Sequence, residues 1–329
     1  MELKRGMVPA IIILGIVVAP LAADAGQPEK VPRVGLLLQG TAASLMTRLE
    51  GFRQGLRERG YVEGKNIALE QRFDEDREER LPALAADLVR LRVDVIVAAA
   101  TPAVKAAQQV TTTIPIIIVH SADPVGLGFT TSLARPGGNI TGLSSMSPEL
   151  SGKRLELLKE AVPKLSRVAV LWNAANPGTV IAFQELQDAA RVLKLRVQSL
   201  EVRRTEDLAP AVKAVTGQRT VGLVTLLDPL VVSQRARIVE LVAEKRLPAM
   251  YPTKEFVEAG GLMAYGPDLM DSYRRVATFV DKILKGAKPA DLPVEQPTTF
   301  NCAINLKTAK ALGITFPPSI LIRADQVIE

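Results

Sequence analysis

From residue 33 onward, short apolar runs alternate with longer amphipathic stretches. RVGLLLQ (33–39), NIALEQ (66–71), VDVIVAAA (93–100) and IPIIIV (114–119) are β-branched and bounded by turn residues, the pattern of strands. Between the second and third of them Leu81, Leu84, Leu88 and Leu91 recur at i, i+3, i+7 and i+10, which predicts a helix with one buried face after Arg77. Strands that are apolar on both faces and separated by helices build a parallel sheet covered on two sides.

The same order then runs a second time. RVAVLW (167–172), a helix from Asn176, LRVQSLEV (195–202), a helix near Asp207, TVGLVTLL (220–227), a helix from Asp228 and LPAMY (247–251) follow one another. RVGLLL and RVAVLW are 134 residues apart, and VDVIVAAATPAV matches TVGLVTLLDPLV at an offset of 127. This internal repeat predicts two similar, doubly wound α/β lobes. After GGLMAYG (260–266) a further helix carries Leu269, Tyr273, Val276, Val280 and Leu284 on one stripe, and PTTFNCAINL (297–306) reads as a last strand. The expected division is 33–143 plus 262–297 for the first lobe and 144–261 plus 298–329 for the second, with crossings near 141–144, 260–263 and 296–299.

In open α/β sheets ligands bind beyond the carboxyl ends of the strands, where helix N-termini point. Those ends share a chemistry here: Thr101-Pro102, Asp123-Pro124, Asn176-Pro177 and Asp228-Pro229 each place an N-cap residue before a proline suited to the first helical position. Capping alone accounts for each pair. As a set they are expected to line one cleft mouth.

The N-terminus narrows the setting. Lys4 and Arg5 precede an uncharged run whose apolar heart, Ala10 to Ala19, is only ten residues, and Ala23-Asp24-Ala25 has the small-x-small form of a cleavage site. That run is too short to span a bilayer, so residues 1–25 are read as a cleaved signal peptide with the mature chain starting at Gly26. The net charge of +6 is unchanged by that cleavage and is dispersed, with no stripe that would call for nucleic acid. A single cysteine, Cys302, excludes an intramolecular disulfide, so a large core must hold an exported protein together; with 47% hydrophobic residues the chain can build one.

Enzyme signatures are missing. The loop after the first strand reads QGTAASL, not a dinucleotide fingerprint, and neither a phosphate-binding G-x-x-x-x-G-K-[ST], a G-x-S-x-G elbow nor an H-E-x-x-H pair occurs. The only histidine, His120, cannot build a metal site without partners and reads as a buried or cleft-lining hydrogen-bond donor. Trp172 closes a strand at the mouth, where it either stacks on a ligand or packs. No metal and no cofactor are expected.

Residues 120–142, HSADPVGLGFTTSLARPGGNITG, with their A-D-P-V, S-L-A-R-P-G-G-N and T-G elements, resemble the periplasmic substrate-binding proteins of ABC transporters, in the family that includes tryptophan-type binders. The likeness extends from GFRQGLRERGYVEGKNI (51–67) through TPAVKAAQ (101–108) to INLKTAKALGITFPPSILIRADQVIE (304–329). It implies the type I periplasmic binding protein fold: two doubly wound lobes, a hinge crossed several times, and a small solute held between them. Carried across by place in the pattern, the cleft positions are Thr41 and Ser44 after the first strand, Thr101 after the third, then Ser121 and Asp123, with Asn173, Asn176 and Asp228 from the second lobe and Tyr251 and Tyr265 at later strand ends. Tryptophan-type members resemble P-T-D-N around the acid, whereas this chain has Leu226-Leu227-Asp228-Pro229, so the acid is kept and its neighbours differ.

The expected protein is a monomeric periplasmic receptor that performs no chemistry, captures an amino-acid-like or carboxylate-bearing solute and presents it to a permease in the inner membrane. Hydroxyls and helix N-termini of the first lobe would hold the carboxylate, and Asp228 an ammonium group. The rival readings are an exported enzyme on the same scaffold and a ligand-sensing domain of a signalling system; the sequence carries no catalytic motif for the first and no attached module for the second.

Overall fold

A computed structural model describes residues 31–216 and 221–329; the expected signal peptide lies outside them. Along the chain come β1 (Arg33–Leu38), α1 (Ala42–Arg57), β2 (Ala68–Phe73), α2 (Leu81–Arg90), β3 (Val95–Ala99), α3 (Thr101–Val110), β4 (Ile116–Ser121) and β5 (Ile140–Ser144). Then follow α4 (Ser147–Ala161), β6 (Arg167–Asn173), α5 (Pro177–Val192), β7 (Arg196–Val202), α6 (Leu208–Lys213), β8 (Val221–Thr225), α7 (Pro229–Ser233), α8 (Arg235–Glu244), β9 (Ala249–Tyr251), α9 (Lys254–Glu258) and β10 (Met263–Gly266). The chain ends with α10 (Leu269–Leu284), β11 (Asn301–Asn305), α11 (Leu306–Leu312), α12 (Pro318–Arg323) and β12 (Gln326–Ile328). No helix among the described residues is long and apolar enough to cross a membrane.

Two sheets result, one ordered β2-β1-β3-β4-β5 and one β12-β11-β10-β9-β8-β6-β7. The run β7-β6-β8-β9-β10 repeats the order of the first sheet, and the repeat holds to the residue: Val34 pairs with Val95 as Val168 pairs with Gly222, at the offsets of 134 and 127 read from the sequence. Only β10 and β11 run antiparallel. Alternate residues of each central strand feed opposite cores, Val34, Leu36 and Leu38 beneath α1 and α10, and Leu37 with Ile96 and Ala98 beneath α2 and α3. The expected leucine stripe of α2 holds, with Leu81 and Leu88 fully buried.

The lobes exchange helices at the hinge. After β5 the chain leaves the first sheet and α4 packs on α5, β8, β9 and β10; after β10 it returns, and α10 packs on α1, β3, β4 and β5. Because Met263–Gly266 pairs with β9 and β11, the second crossing follows Gly266 and not residue 262, which corrects the expected division. The third crossing lies between Glu295 and Asn301. Glu295 still bridges to Leu143 at the edge of the first sheet, and β11 starts only at Asn301. Arg154 of α4, fully buried, pins the second crossing by donating from Nε to the Tyr265 carbonyl at 2.8 Å.

The α1–α10 contact depends on glycine. A β-carbon on Gly55 would lie 2.2 Å from the Arg274 carbonyl oxygen, and one on Gly51 2.7 Å from that of Met270. Gly55→Val is therefore expected to force α10 away and to lower stability by ~2 kcal/mol or more in urea unfolding, the upper part of the overpacking range. Gly152→Ala, whose β-carbon would meet only Ala189 Cβ at 3.4 Å, is expected to leave the midpoint unchanged or raise it.

Candidate functional site

The carboxyl ends of both sheets face a pocket lined from the first lobe by Gln39, Arg48, Thr101, His120 and Tyr273 and from the second by Asn176, Asp228 and Val232. The lobes meet across it. A β-carbon on Gly178 at the start of α5 would stand 2.7 Å from Thr101 Oγ1 and 2.9 Å from Ala122 Cβ, so the two tips touch only because this residue has no side chain.

Several of the expected polar residues spend their hydrogen bonds on one another. Thr41 caps α1 by accepting from the Ser44 N–H at 3.2 Å, while Ser44 Oγ accepts from the Thr41 N–H at 3.0 Å, a closed capping box. Thr101 Oγ1 and Ser121 Oγ lie 3.1 Å apart, and Thr101 Oγ1 also accepts from the Ala122 N–H. Asp123 accepts from the Gly126 N–H within its own turn. In the second lobe Asn176 caps α5 and Asp228 caps α7, and the two caps are joined by an Asn176 Nδ2 donation to Asp228 Oδ2 at 2.8 Å. Asn173 adds longer bonds to the same carboxylate. Burial pushes the Asp228 carboxyl upward, with these donors acting in the opposite direction.

Of the ten expected residues, Thr101, Asn176 and Asp228 line the pocket; Thr41, Ser44, Ser121, Asp123 and Asn173 stand behind it in caps and turns. The tyrosines are a correction. Tyr251 is 1% exposed and stacks on Phe256 at 4.8 Å inside the second core, because β9 is a central strand whose end is covered by α9. Tyr265 packs against Phe300 at the hinge, away from the pocket lining. Trp172 packs: it stacks on Phe183 at 4.4 Å and donates Nε1–H to Ser199.

The groups left without partners are different residues. Gln39 Oε1 and Ser147 Oγ are buried and form no hydrogen bond among the described residues, the buried His120 ring has only a long contact to the Leu269 backbone, and all three residues belong to the pocket lining. Buried polar atoms are rarely left unmet, so a cluster of them around one cavity marks where a ligand's polar groups go. Backbone strain collects at the same place: Ala100 has φ 74° and ψ 159°, and His120 has φ 59°. His120 sits at a register shift between β4 and β5, a bulge that lets consecutive residues Val119 and His120 both reach the pocket. Sequence reasoning left His120 as either buried or cleft-lining and missed Gln39, Arg48, Ser147 and Tyr273. A signal for Arg48 existed, since it interrupts the apolar stripe Leu45, Leu49, Phe52 and Leu56 of α1.

Burial and the nearby Arg48 charge press His120 down to about 3, so the ring is neutral at physiological pH. Its folded value lies below the unfolded one of about 6.5, so the stability it contributes is present above that pH and is lost as the unfolded chain takes up a proton in acid. As the chain's single histidine it gives isolated imidazole resonances, which are expected not to titrate between pH 8 and 5 in two-dimensional NMR. A midpoint near 6.5 in the folded protein would contradict the buried placement.

Known proteins resemble this chain over most of its length. A tyrosine-binding protein of Clostridioides difficile is 28% identical over 287 residues, 87% of this chain and 82% of that protein. The structure of an ABC domain from Streptococcus pneumonia in complex with L-Trp is 29% identical and superposes with a TM-score of 0.81, covering 90% of this chain and all of the other. The ligand-free, open structure of a substrate-binding protein with adhesive properties from Clostridium difficile, 25% identical, reaches 0.65 over 91% of this chain and 99% of that one. The fold is that of the two-lobed type I periplasmic binding proteins. The model of the ABC transporter substrate binding protein family matches residues 36–328, and the chain belongs to that family.

Proposed function

We propose that the protein is the periplasmic receptor of an ABC importer, exported by cleavage after Ala25, working as a monomer and handing an amino-acid-like solute to an inner-membrane permease. The observation that carries this reading is the pocket lined from both lobes, in which Gln39 Oε1 and Ser147 Oγ are buried without a partner among the described residues. The relatives that bind tyrosine and L-Trp direct the choice of solute to amino acids, aromatic ones first. Residues of both lobes reach such a solute at once only when the tips are together, so binding shifts a hinge equilibrium toward closure. In this reading the protein does no chemistry. Asp228 faces the ammonium group, and Thr101 and Asn176 contribute at the same mouth.

Calorimetric titration with L-tyrosine and L-tryptophan is expected to give saturable binding. Asp228→Asn is expected to weaken it by about 1.5–3 kcal/mol, the range of charge-assisted hydrogen bonds; asparagine still caps α7 but loses the oxygen that accepts from Asn176, so the empty protein is expected to melt modestly lower as well. Wild-type affinity in that variant would remove Asp228 from the site.

Gly178→Val bears mainly on closure, since the nearest neighbours of the added β-carbon, Thr101 Oγ1 at 2.7 Å and Ala122 Cβ at 2.9 Å, belong to the other lobe. Small-angle scattering is expected to show the wild type compacting with saturating ligand and the variant failing to do so, with an affinity loss of about 1–3 kcal/mol. A variant that closes and binds normally would show that this contact is not part of the bound state.

A further inference from the structure

Arg48 differs from its neighbours. Arg53 and Arg57 on the same helix are ion-paired at the surface, with Glu63 and Glu50. Arg48 stands on the apolar face of α1, lines the pocket beside His120 and Tyr273, and makes no hydrogen bond or ion pair among the described residues. Glu255 and Arg235 act on it from the second lobe with opposite signs, and neither comes within pairing distance. Burial holds its guanidinium below the ordinary value. With His120 neutral, Arg48 is the one positive charge in the lining and Asp228 the one negative charge, and they come from different lobes. Arg48 is half-buried by accessible surface, and a partly desolvated guanidinium without an ion pair is answered by a carboxylate from the solute with bidentate geometry. The first-lobe hydroxyls that sequence reasoning offered for this task, Thr101 and Ser121, are already bonded to one another.

We infer that Arg48 is the seat of the solute's carboxylate, so that an amino acid bridges the cleft with its negative group on the first lobe and its positive group on the second. This rests on the solute-receptor reading and adds to it which residue selects for acid. A zwitterion then links the lobes through both of its charges, whereas a neutral solute leaves both charges unanswered.

The test uses matched acid and amide probes against the full mature chain: L-tyrosine and L-tyrosinamide, L-tryptophan and L-tryptophanamide, and 3-phenylpropionate with its amide. Calorimetry on the wild type is expected to favour an acid over its amide by roughly tenfold or more. Arg48→Gln is expected to lose that preference, acid affinity falling to the level of the amide while amide affinity stays put. Arg48→Lys is expected to restore part of it, and Glu255→Gln to keep the preference, which separates a ligand contact from an inter-lobe latch. An undiminished acid preference in Arg48→Gln overturns the assignment, as does a wild type that binds amides as well as acids or binds none of the panel. Arg48-dependent binding of 3-phenylpropionate without binding of either amino acid would leave Arg48 in place and remove the amino-acid reading. Binding of L-tyrosine indifferent to Arg48 would do the reverse.

Discussion

The cleft depends on the exchange of α4 and α10 between the lobes. Each helix follows the last parallel strand of one sheet and packs on the other, so the chain crosses the hinge at equivalent points of the two repeats. The exchange requires α10 to lie against α1 at backbone distance, which Gly51 and Gly55 permit. That approach brings Tyr273 of α10 into the pocket shared with Arg48 of α1, and the first crossing carries Ser145 and Ser147 into the same space. The pocket wall is thus assembled from segments far apart in the chain, and no single βα unit contains it.

Within the cleft, hydrogen bonding divides polar residues into two populations. The cap residues bind backbone amides and one another, and the link between Asn176 and Asp228 ties the N-termini of α5 and α7 into one rigid edge. Gln39 and Ser147 are held in place but unmet. Rigid caps and unmet groups serve different ends: the caps hold the mouth at fixed geometry, and the unmet groups leave desolvated positions that a solute can fill. His120 shows the cost of this arrangement, being kept neutral by burial at a strained bulge where a residue in regular pairing would face away.

Acids at the rim add a pH-sensitive element. Glu78 is raised to about 7, chiefly by burial and then by Asp228 across the cleft, and Asp74 to about 6 by burial. Both values lie above those of the free groups, so these carboxyls support the folded state while they hold their protons, and that support is lost as pH rises through 6 to 7. Glu78 is partly exposed, and solvent screening reduces the effect.

Elements whose signal is local were legible in the sequence. The strands RVGLLL and RVAVLW, the leucine stripe of α2 and the capping prolines of α5 and α7 follow from periodicity and backbone chemistry within a few residues, and the repeat at 134 and 127 determined two like sheets and even their matching register. β5 was read only as a crossing because Gly142 and the preceding Gly-Gly step mask its apolar run, and α4 was not assigned because Pro148 and Gly152 interrupt its pattern. What the tertiary structure alone decided is which polar side chains remain unsatisfied. Asp228 and Arg48 are each one charged residue in the sequence, yet beyond its local cap amides the first also accepts from Asn173 and Asn176, while the second has no hydrogen-bond partner among the described residues, because such partners are supplied by contacts between segments that no spacing along the chain encodes.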